Sequence, residues 1–121
     1  MAKKFLIVDD SASMRQLMSF TIKDAGYDVL VAENGKDALG KLNGEKVDMV
    51  ITDINMPDMD GIELITQLRA MPGYKFAPII MLTTESQEAR KQEGRQAGAS
   101  GWIVKPFSPV QLLEVVRKFV K

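Results

Sequence analysis

The chain has 121 residues, of which 45% are hydrophobic and 26% charged, and its formal net charge is zero. These values fit one globular domain and argue against partners chosen by strong positive charge, such as nucleic acid or a membrane surface. The absence of cysteine and histidine excludes disulfides, imidazole catalysis and metal sites with Cys or His ligands. Any functional site must therefore use carboxylates, hydroxyls, amides and Lys or Arg.

The zero net charge results from two oppositely charged halves of the chain. All nine aspartates lie in residues 1–60, which carry 11 acidic and 7 basic side chains. Residues 61–121 carry 5 acidic and 9 basic side chains. No apolar run approaches the roughly 20 residues of a membrane-spanning helix. Asp9-Asp10 also interrupts the only segment that resembles the start of a signal peptide, so we expect a cytoplasmic protein.

Five short apolar runs recur along the chain without polar alternation. This pattern predicts strands buried on both faces, as in a parallel sheet. In chain order the runs are Phe5-Leu6-Ile7-Val8, Val29-Leu30-Val31, Met49-Val50-Ile51, Ile79-Ile80-Met81-Leu82 and Trp102-Ile103-Val104.

Amphipathic helical patterns separate the apolar runs. They predict helices with one buried stripe each, and the last helix starts with a capping box and a proline at its first position. In chain order the stripes are Met14 to Ala25, closed by Gly26; Ala38 to Leu42, closed by Asn43-Gly44; Ile62 to Leu68; and Leu112 to Phe119, preceded by Ser108, Pro109 and Gln111.

The segment after the fourth apolar run differs from the other helical patterns. Thr84 and Gln87 form a second capping-box pattern, which predicts a helix start. Residues 85–100 have only alanines as apolar residues, and Gly94 lowers helix propensity by about 1 kcal/mol relative to alanine. This helix is either a short exposed surface helix or an element whose weak packing allows its position to shift.

Five strands alternating with five helices predict an α/β fold with helices on both faces of a parallel sheet. Ligands of such sheets bind beyond the carboxyl ends of the strands. Four strands end in polar residues at that edge: Asp9-Asp10, Thr52-Asp53, Thr83-Thr84 and Lys105-Pro106. If the first and third strands are neighbours, Asp9, Asp10 and Asp53 converge.

Three converging carboxylates require a cation or a retained proton, because two of them about 4 Å apart repel by roughly 4 kcal/mol. Oxygen ligands without Cys or His favour Mg²⁺. With the Thr83 hydroxyl and the Lys105 ammonium, the set would suit a phosphoryl group on a carboxylate. Each residue also has an ordinary structural explanation: a helix cap, a turn, a β-branched strand residue or a surface charge.

These residues resemble the receiver domain of two-component response regulators, in particular the single-domain chemotaxis (CheY) type. The likeness runs from Phe5 to about Val120. It implies a flavodoxin-like (βα)₅ doubly wound fold with strand order 2-1-3-4-5 and a single receiver domain over residues 1–121. The matching stretches are Ile7-Val8-Asp9-Asp10-Ser11, Thr52-Asp53-Ile54-Asn55-Met56-Pro57, Met59-Asp60-Gly61, Thr83 and Val104-Lys105-Pro106-Phe107.

The resemblance implies a metal site and a phosphoacceptor. Asp53 would be the nucleophile that accepts a phosphoryl group from a kinase phosphohistidine. Asp10 would bind Mg²⁺ directly and Asp9 through water, and the backbone carbonyl of Asn55 would be a further ligand. Hydrolysis would later reset the protein, which is expected to be a self-dephosphorylating switch and not a turnover enzyme.

The same resemblance implies a switch. Thr83 and Lys105 would hold the phosphoryl oxygens. The Lys105–Pro106 bond is typically cis in the family. Trp102 would turn inward when Thr83 moves, although a core aromatic of the fifth strand is an equal interpretation. Asn55 and Glu85 would tune dephosphorylation. Trp102 replaces the tyrosine usual in chemotaxis regulators, which weakens any inference about a flagellar target.

The implied partners are a sensor histidine kinase of the CheA type and a target on the face of the last two helices and the fifth strand. A monomer without nucleic-acid or membrane partners is expected. A receiver in another phosphorelay is an alternative, as is a Mg²⁺-dependent phosphohydrolase with Asp53 as nucleophile. A flavodoxin-like cofactor protein is a further alternative, although Asp9-Asp10 would repel a phosphate there.

Overall fold

The computed structural model describes residues 3–56, 59–84 and 88–120. Strands and helices alternate strictly along this part of the chain, as the two hydrophobic periods predict. The elements are β1 (Lys4–Val8), α1 (Ala12–Asp24), β2 (Asp28–Ala32), α2 (Gly35–Leu42), β3 (Met49–Asp53), α3 (Gly61–Ala70), β4 (Ile79–Thr84), α4 (Glu88–Ala97), β5 (Gly101–Lys105) and α5 (Pro109–Phe119).

The strands form one parallel sheet in the order β2-β1-β3-β4-β5, which confirms the predicted fold and strand order. Two apolar clusters cover the two faces of the sheet. The first contains Leu64 and Leu68 of α3 and extends to α2. The second contains Ile22 of α1 and Val116 of α5. Because every strand runs in the same direction, all carboxyl ends meet at one edge and all amino ends at the other.

Burial on both faces holds only for the central strands. Every residue of β3 is buried, whereas Leu30 of the edge strand β2 and Val104 of the edge strand β5 are only partly covered. Trp102 is 38% exposed, so the interpretation of this side chain as a core aromatic is wrong. An edge strand has a neighbour on one side only, and sequence periodicity does not show which strands lie at the edges.

Two predicted helix boundaries are confirmed. Gly26 follows the C-cap of α1 with a positive φ of 99°, a backbone conformation that glycine adopts without a steric penalty. At the start of α5, the Ser108 side chain accepts the Gln111 N–H, and the Gln111 side chain accepts the Ser108 N–H. This reciprocal pair satisfies two backbone donors that the first turn leaves unpaired.

The helix α4 buries little apolar surface, as its composition predicts. Its buried residues are Lys91 and Gly94. A side chain at position 94 would collide with the sulfur of Met81, so this glycine allows the helix to approach β4 closely. Thr84 is the last residue of β4, and the predicted capping-box partner Gln87 lies outside the described residues.

Candidate functional site

Three carboxylates lie together at the carboxyl edge of the sheet, where β1 and β3 are neighbours. Asp9 is fully buried and Asp53 is 5% exposed, while Asp10 faces solvent. One oxygen from each carboxylate lies within 4.8 Å of the others. The predicted convergence is therefore confirmed, and only the neighbouring positions of β1 and β3 in the sheet produce it.

Local hydrogen bonds fix the two buried carboxylates. The Ser11 N–H donates to Asp9 Oδ1 at 2.9 Å, while the Ser11 hydroxyl itself caps α1 by accepting the Met14 N–H. The Asn55 N–H donates to Asp53 Oδ1 at 3.2 Å. The helix cap, one of the ordinary explanations considered for these residues, is thus provided by Ser11, and Asp10 is exposed.

Lys105 is the cation that reaches these carboxylates. Its ammonium lies 3.2 Å from Asp9 Oδ2 and 3.2 Å from Asp53 Oδ2, on the strand end that the sequence analysis selected. The Lys105–Pro106 bond is cis, as the resemblance implies. One ammonium facing two buried carboxylates leaves the site with excess negative charge.

Burial and the charges of the pocket together shift two pKa values. Burial raises the pKa of Asp53 above its usual range; Lys105 and the Asn55 N–H lower it, Asp9 adds to the rise, and burial prevails. Burial opposes the charge of Lys105, but attraction to Asp53 and Asp9 is larger, so the pKa of Lys105 is raised. The two raised pKa values are consistent with each other. Lys105 is attracted by two carboxylates, whereas Asp53 is buried and shares its one lysine with Asp9.

The donor set fits a hard divalent cation. Three carboxylates without Cys or His ligands are the chemistry that Mg²⁺ prefers, and two carboxylates at this separation repel by roughly 3–4 kcal/mol at an effective dielectric constant near 20. Asp9, Asp10 and Asp53 would hold the ion. The backbone carbonyl of Asn55 remains a predicted ligand. The backbone N–H of the same residue donates to Asp53 Oδ1.

Three further residues were predicted to take part in the switch or in dephosphorylation. Thr83 is buried near the end of β4, and its hydroxyl donates to the Thr84 carbonyl at 3.3 Å. Trp102 lies on β5 beneath two cations of α4, with Lys91 Nζ 5.8 Å and Arg95 Cζ 5.7 Å from its ring centroid. Glu85, the predicted dephosphorylation-tuning residue, lies outside the described residues.

Three further residues, to which the sequence analysis assigned no role, shape the site. Gly61 packs against the backbone of Asp53: a Cβ there would lie 2.7 Å from the Ile54 Cα and even closer to the Asp53 carbonyl oxygen. Arg15 donates to the Asp9 carbonyl at 2.6 Å, and Arg90 of α4 pairs with Asp60 at 2.8 Å. Only the turn pattern around Gly61 gave a signal in the sequence; the arginine contacts depend on tertiary packing.

A sequence model of the response regulator receiver domain matches residues 5–117 of the chain. The chain belongs to the response regulator receiver domain family.

Several relatives are similar over most of the chain. It is 44% identical over 113 residues to the chemotaxis protein CheY1 of Helicobacter pylori, covering 92% of this chain and 91% of that protein. It is 45% identical to a chemotaxis protein CheY homolog of Campylobacter jejuni over 92% of this chain and 87% of that protein. It also matches the regulatory protein PhoP of Bacillus subtilis at 38% identity, where the chain spans 50% of that longer protein.

The solved structures agree with the fold. The chemotaxis protein CheY4 of Vibrio cholerae superposes with a TM-score of 0.95 at 47% identity, covering 99% of this chain and 100% of that one. Within residues 3–56, 59–84 and 88–120, no helix combines the length and apolar character that a membrane span needs.

The raised pKa of the buried Asp53 carboxyl predicts the effect of replacing Asp53 with Asn. A group whose pKa is raised on folding favours the folded state below its ordinary pKa of about 4, and this contribution is lost as pH rises through the folded value. At neutral pH without divalent ions, Asp53→Asn should therefore raise the unfolding temperature by a few degrees.

Thermal unfolding with and without Mg²⁺ checks this expectation. Mg²⁺ should stabilise the wild type more than the variant, so the difference should shrink or reverse. The exposed-carboxylate variant Asp24→Asn is the matched control, and its stability should respond to Mg²⁺ as the wild type does. A destabilised Asp53→Asn protein in metal-free buffer would contradict the cost assigned to burying the Asp53 carboxylate.

The close packing of Gly61 predicts a second outcome. Gly61→Ala should destabilise the protein by roughly 1–3 kcal/mol, because its Cβ meets rigid backbone beside Asp53. Gly40→Ala in α2 is the control, since its Cβ has no neighbour within 4 Å and alanine favours a helix by about 1 kcal/mol. Chemical denaturation measures both. Equal stability changes would show that the approach of α3 to Asp53 tolerates a side chain.

Proposed function

We propose that this receiver domain is a stand-alone phosphorylation switch of the chemotaxis type, in which Asp53 accepts a phosphoryl group from the phosphohistidine of a sensor kinase. The observation that carries this proposal is the grouping of Asp9, Asp10 and Asp53 around one lysine at the carboxyl edge of the sheet. The chemotaxis names of the relatives that the chain matches over most of their length support the pathway.

The transfer is a displacement at phosphorus. A carboxylate oxygen of Asp53 attacks, the new O–P bond forms, and the N–P bond to the donor imidazole breaks. Bound Mg²⁺ would supply the charge neutralisation that brings the phosphoryl group beside carboxylates. Asp53 is prepared as nucleophile because the Asn55 N–H and Lys105 orient its side chain. Later attack by water on the phosphorus returns the carboxylate.

Lys105 and Thr83 are the residues we assign to the new phosphoryl oxygens. Lys105 already bridges Asp53 and Asp9, so its ammonium needs little movement to pair with added negative charge. The Thr83 hydroxyl, on the strand next to β3, is the second donor that we assign to these oxygens. Asn55 and Glu85 remain the residues proposed to set the rate of dephosphorylation.

The output follows from the elements next to Thr83. Movement of Thr83 would disturb the segment leading to α4, a helix that buries only Lys91 and Gly94. Trp102 would then leave its position under Lys91 and Arg95 and turn inward. A cation–π contact holds the ring by about 0.5–1 kcal/mol where it is exposed and by about 2 kcal/mol where it is desolvated, as at the buried Lys91, so the rearrangement is energetically accessible.

The face formed by α4, β5 and α5 is the surface proposed for the downstream target. A groove of about 260 Å³ runs along it, lined in part by Trp102, Phe107 and Val115. Val110 at the start of α5 is 65% exposed beside this face. A change in Trp102 would alter the groove directly. We propose that the protein acts as a cytoplasmic monomer with a single receiver domain over residues 1–121.

Trp102 fluorescence tests the switch, because this is the single tryptophan of the chain. Beryllofluoride with Mg²⁺, or a small acyl phosphate, should give a saturable fluorescence change as the indole changes its surroundings. Asp53→Asn should abolish the change, while the exposed-carboxylate variant Asp24→Asn should retain it. A response that does not require Mg²⁺, or that persists in Asp53→Asn, would refute the proposal.

Replacement of Lys105 separates phosphorylation from signalling. In Lys105→Ala, intact-mass measurements with an acyl phosphate should still detect the phosphoryl adduct on Asp53. The affinity of the phosphorylated protein for the downstream target should fall roughly 10- to 100-fold, because a charge-assisted hydrogen bond to the phosphoryl group is lost. The Trp102 fluorescence response should weaken with it. Lys36→Ala, an exposed lysine of α2, is the control. An undiminished response would remove Lys105 from the switch.

A further inference from the structure

Asp10 is the carboxylate of the acidic pocket that the fold does not hold by its side chain. Asp9 and Asp53 are buried, and both pair with Lys105. Asp10 is exposed, and in the part of the chain that the structure describes its carboxylate forms no hydrogen bond or ion pair. The position of this carboxylate therefore depends on the backbone that carries it.

Arg15 of α1 holds that backbone. Its Nη1 donates to the Asp9 carbonyl oxygen at 2.6 Å. This oxygen belongs to the peptide group that joins Asp9 to Asp10, and because a peptide group is planar, fixing its oxygen also restricts the Cα that carries the Asp10 side chain. The Asp9 N–H donates to the Ala32 carbonyl at 3.2 Å. The segment is thus held at two successive peptide groups.

The contact of Arg15 with the site is a hydrogen bond and not an ion pair. Among the described residues, no carboxylate oxygen lies within the 4.0 Å of an ion pair from the Arg15 guanidinium. A hydrogen bond from a charged donor is about twice as strong as one between neutral groups, and it is directional. The effect of Arg15 on the three carboxylates is therefore one of geometry, with its charge acting only over a longer distance.

Geometry distinguishes the two common divalent cations at an oxygen site. Mg²⁺ demands nearly ideal octahedral coordination at about 2.0–2.1 Å, whereas Ca²⁺ accepts about six to eight oxygens at about 2.3–2.6 Å in flexible arrangements. A carboxylate whose backbone is free to shift should therefore weaken Mg²⁺ binding more than Ca²⁺ binding.

We propose that Arg15 is a positioning residue that selects Mg²⁺ over larger divalent cations. It would do so by holding the Asp9–Asp10 peptide, which keeps the exposed Asp10 carboxylate grouped with the two buried ones. This inference rests on the metal site of the proposed function and concerns the selectivity of that site. Residues that orient a metal ligand through a hydrogen bond typically contribute roughly 10- to 100-fold to metal affinity.

A purely electrostatic role of Arg15 predicts the opposite result. Removal of a cation near three carboxylates would strengthen the binding of both Mg²⁺ and Ca²⁺, because the negative potential of the pocket would rise. Loss of positioning instead weakens Mg²⁺ binding and lowers the preference for Mg²⁺ over Ca²⁺. The sign of the change and the ratio of the two affinities therefore separate the two roles.

Metal titration of the unphosphorylated full chain tests the proposal. The NMR shift of the Asn55 amide, which donates to Asp53, reports the dissociation constant of each cation. Arg15→Met retains an unbranched apolar stem without a donor, and it should weaken Mg²⁺ binding about tenfold or more but Ca²⁺ binding about threefold or less. Arg15→Lys keeps one cationic donor and should lose less Mg²⁺ affinity, again with a smaller loss for Ca²⁺.

Lys23→Met is the matched control, because it removes an exposed cation from the last turn of the same helix. Both dissociation constants should stay at their wild-type values in this variant. Thermal unfolding in metal-free buffer shows whether each variant is folded. If Arg15→Met does not fold, the ratio of the Mg²⁺ and Ca²⁺ affinities in Arg15→Lys decides the outcome.

Two results would overturn the proposal: an unchanged preference for Mg²⁺ over Ca²⁺ in the folded Arg15 variants, or tighter binding of both cations. The wild-type titration separates this outcome from failure of the proposed function. A wild type that does not respond to Mg²⁺ would refute the metal site itself and the role of Arg15 with it. A normal wild-type response with unchanged selectivity in the variants would refute only the role of Arg15.

Discussion

The excess of negative charge at the carboxyl edge of the sheet is the interaction on which the site depends. Two buried carboxylates and one exposed one lie within 4.8 Å of each other and face one lysine. Burial of Asp53 in this arrangement raises its pKa and so costs stability at neutral pH in the protein alone. In the proposed function, the same charges would attract a divalent cation and, through it, an incoming phosphoryl group. The site is therefore electrostatically unfavourable for folding, and packing in the rest of the fold must offset this cost.

That support comes from close backbone packing and from unevenly distributed stability. Gly61 lets α3 start directly against the backbone of Asp53, and every residue of β3 is buried. The helix α4, in contrast, rests on β4 through a glycine and contacts Trp102 with two cationic side chains. A rigid acceptor beside a weakly packed helix is a suitable arrangement for converting a local charge change into a change of surface.

The opposite edge of the sheet shows a different use of rigidity. Arg69 donates to several carbonyls of the connection that carries Phe76 and also to the Gly98 carbonyl that follows α4. One guanidinium therefore holds two connections together.

The sequence by itself determined the alternation of strands and helices, the caps of α5 and the polar residues that end four strands, because hydrophobic periods and capping patterns are local. The family motifs then supplied the strand order and the roles of Asp53, Thr83 and Lys105. Only the tertiary structure decided that Trp102 is half exposed under Lys91 and Arg95, because edge position and cross-element contacts leave no local signal. It also decided that one lysine serves two carboxylates, since residues 9, 53 and 105 meet only when their strands are placed in the sheet.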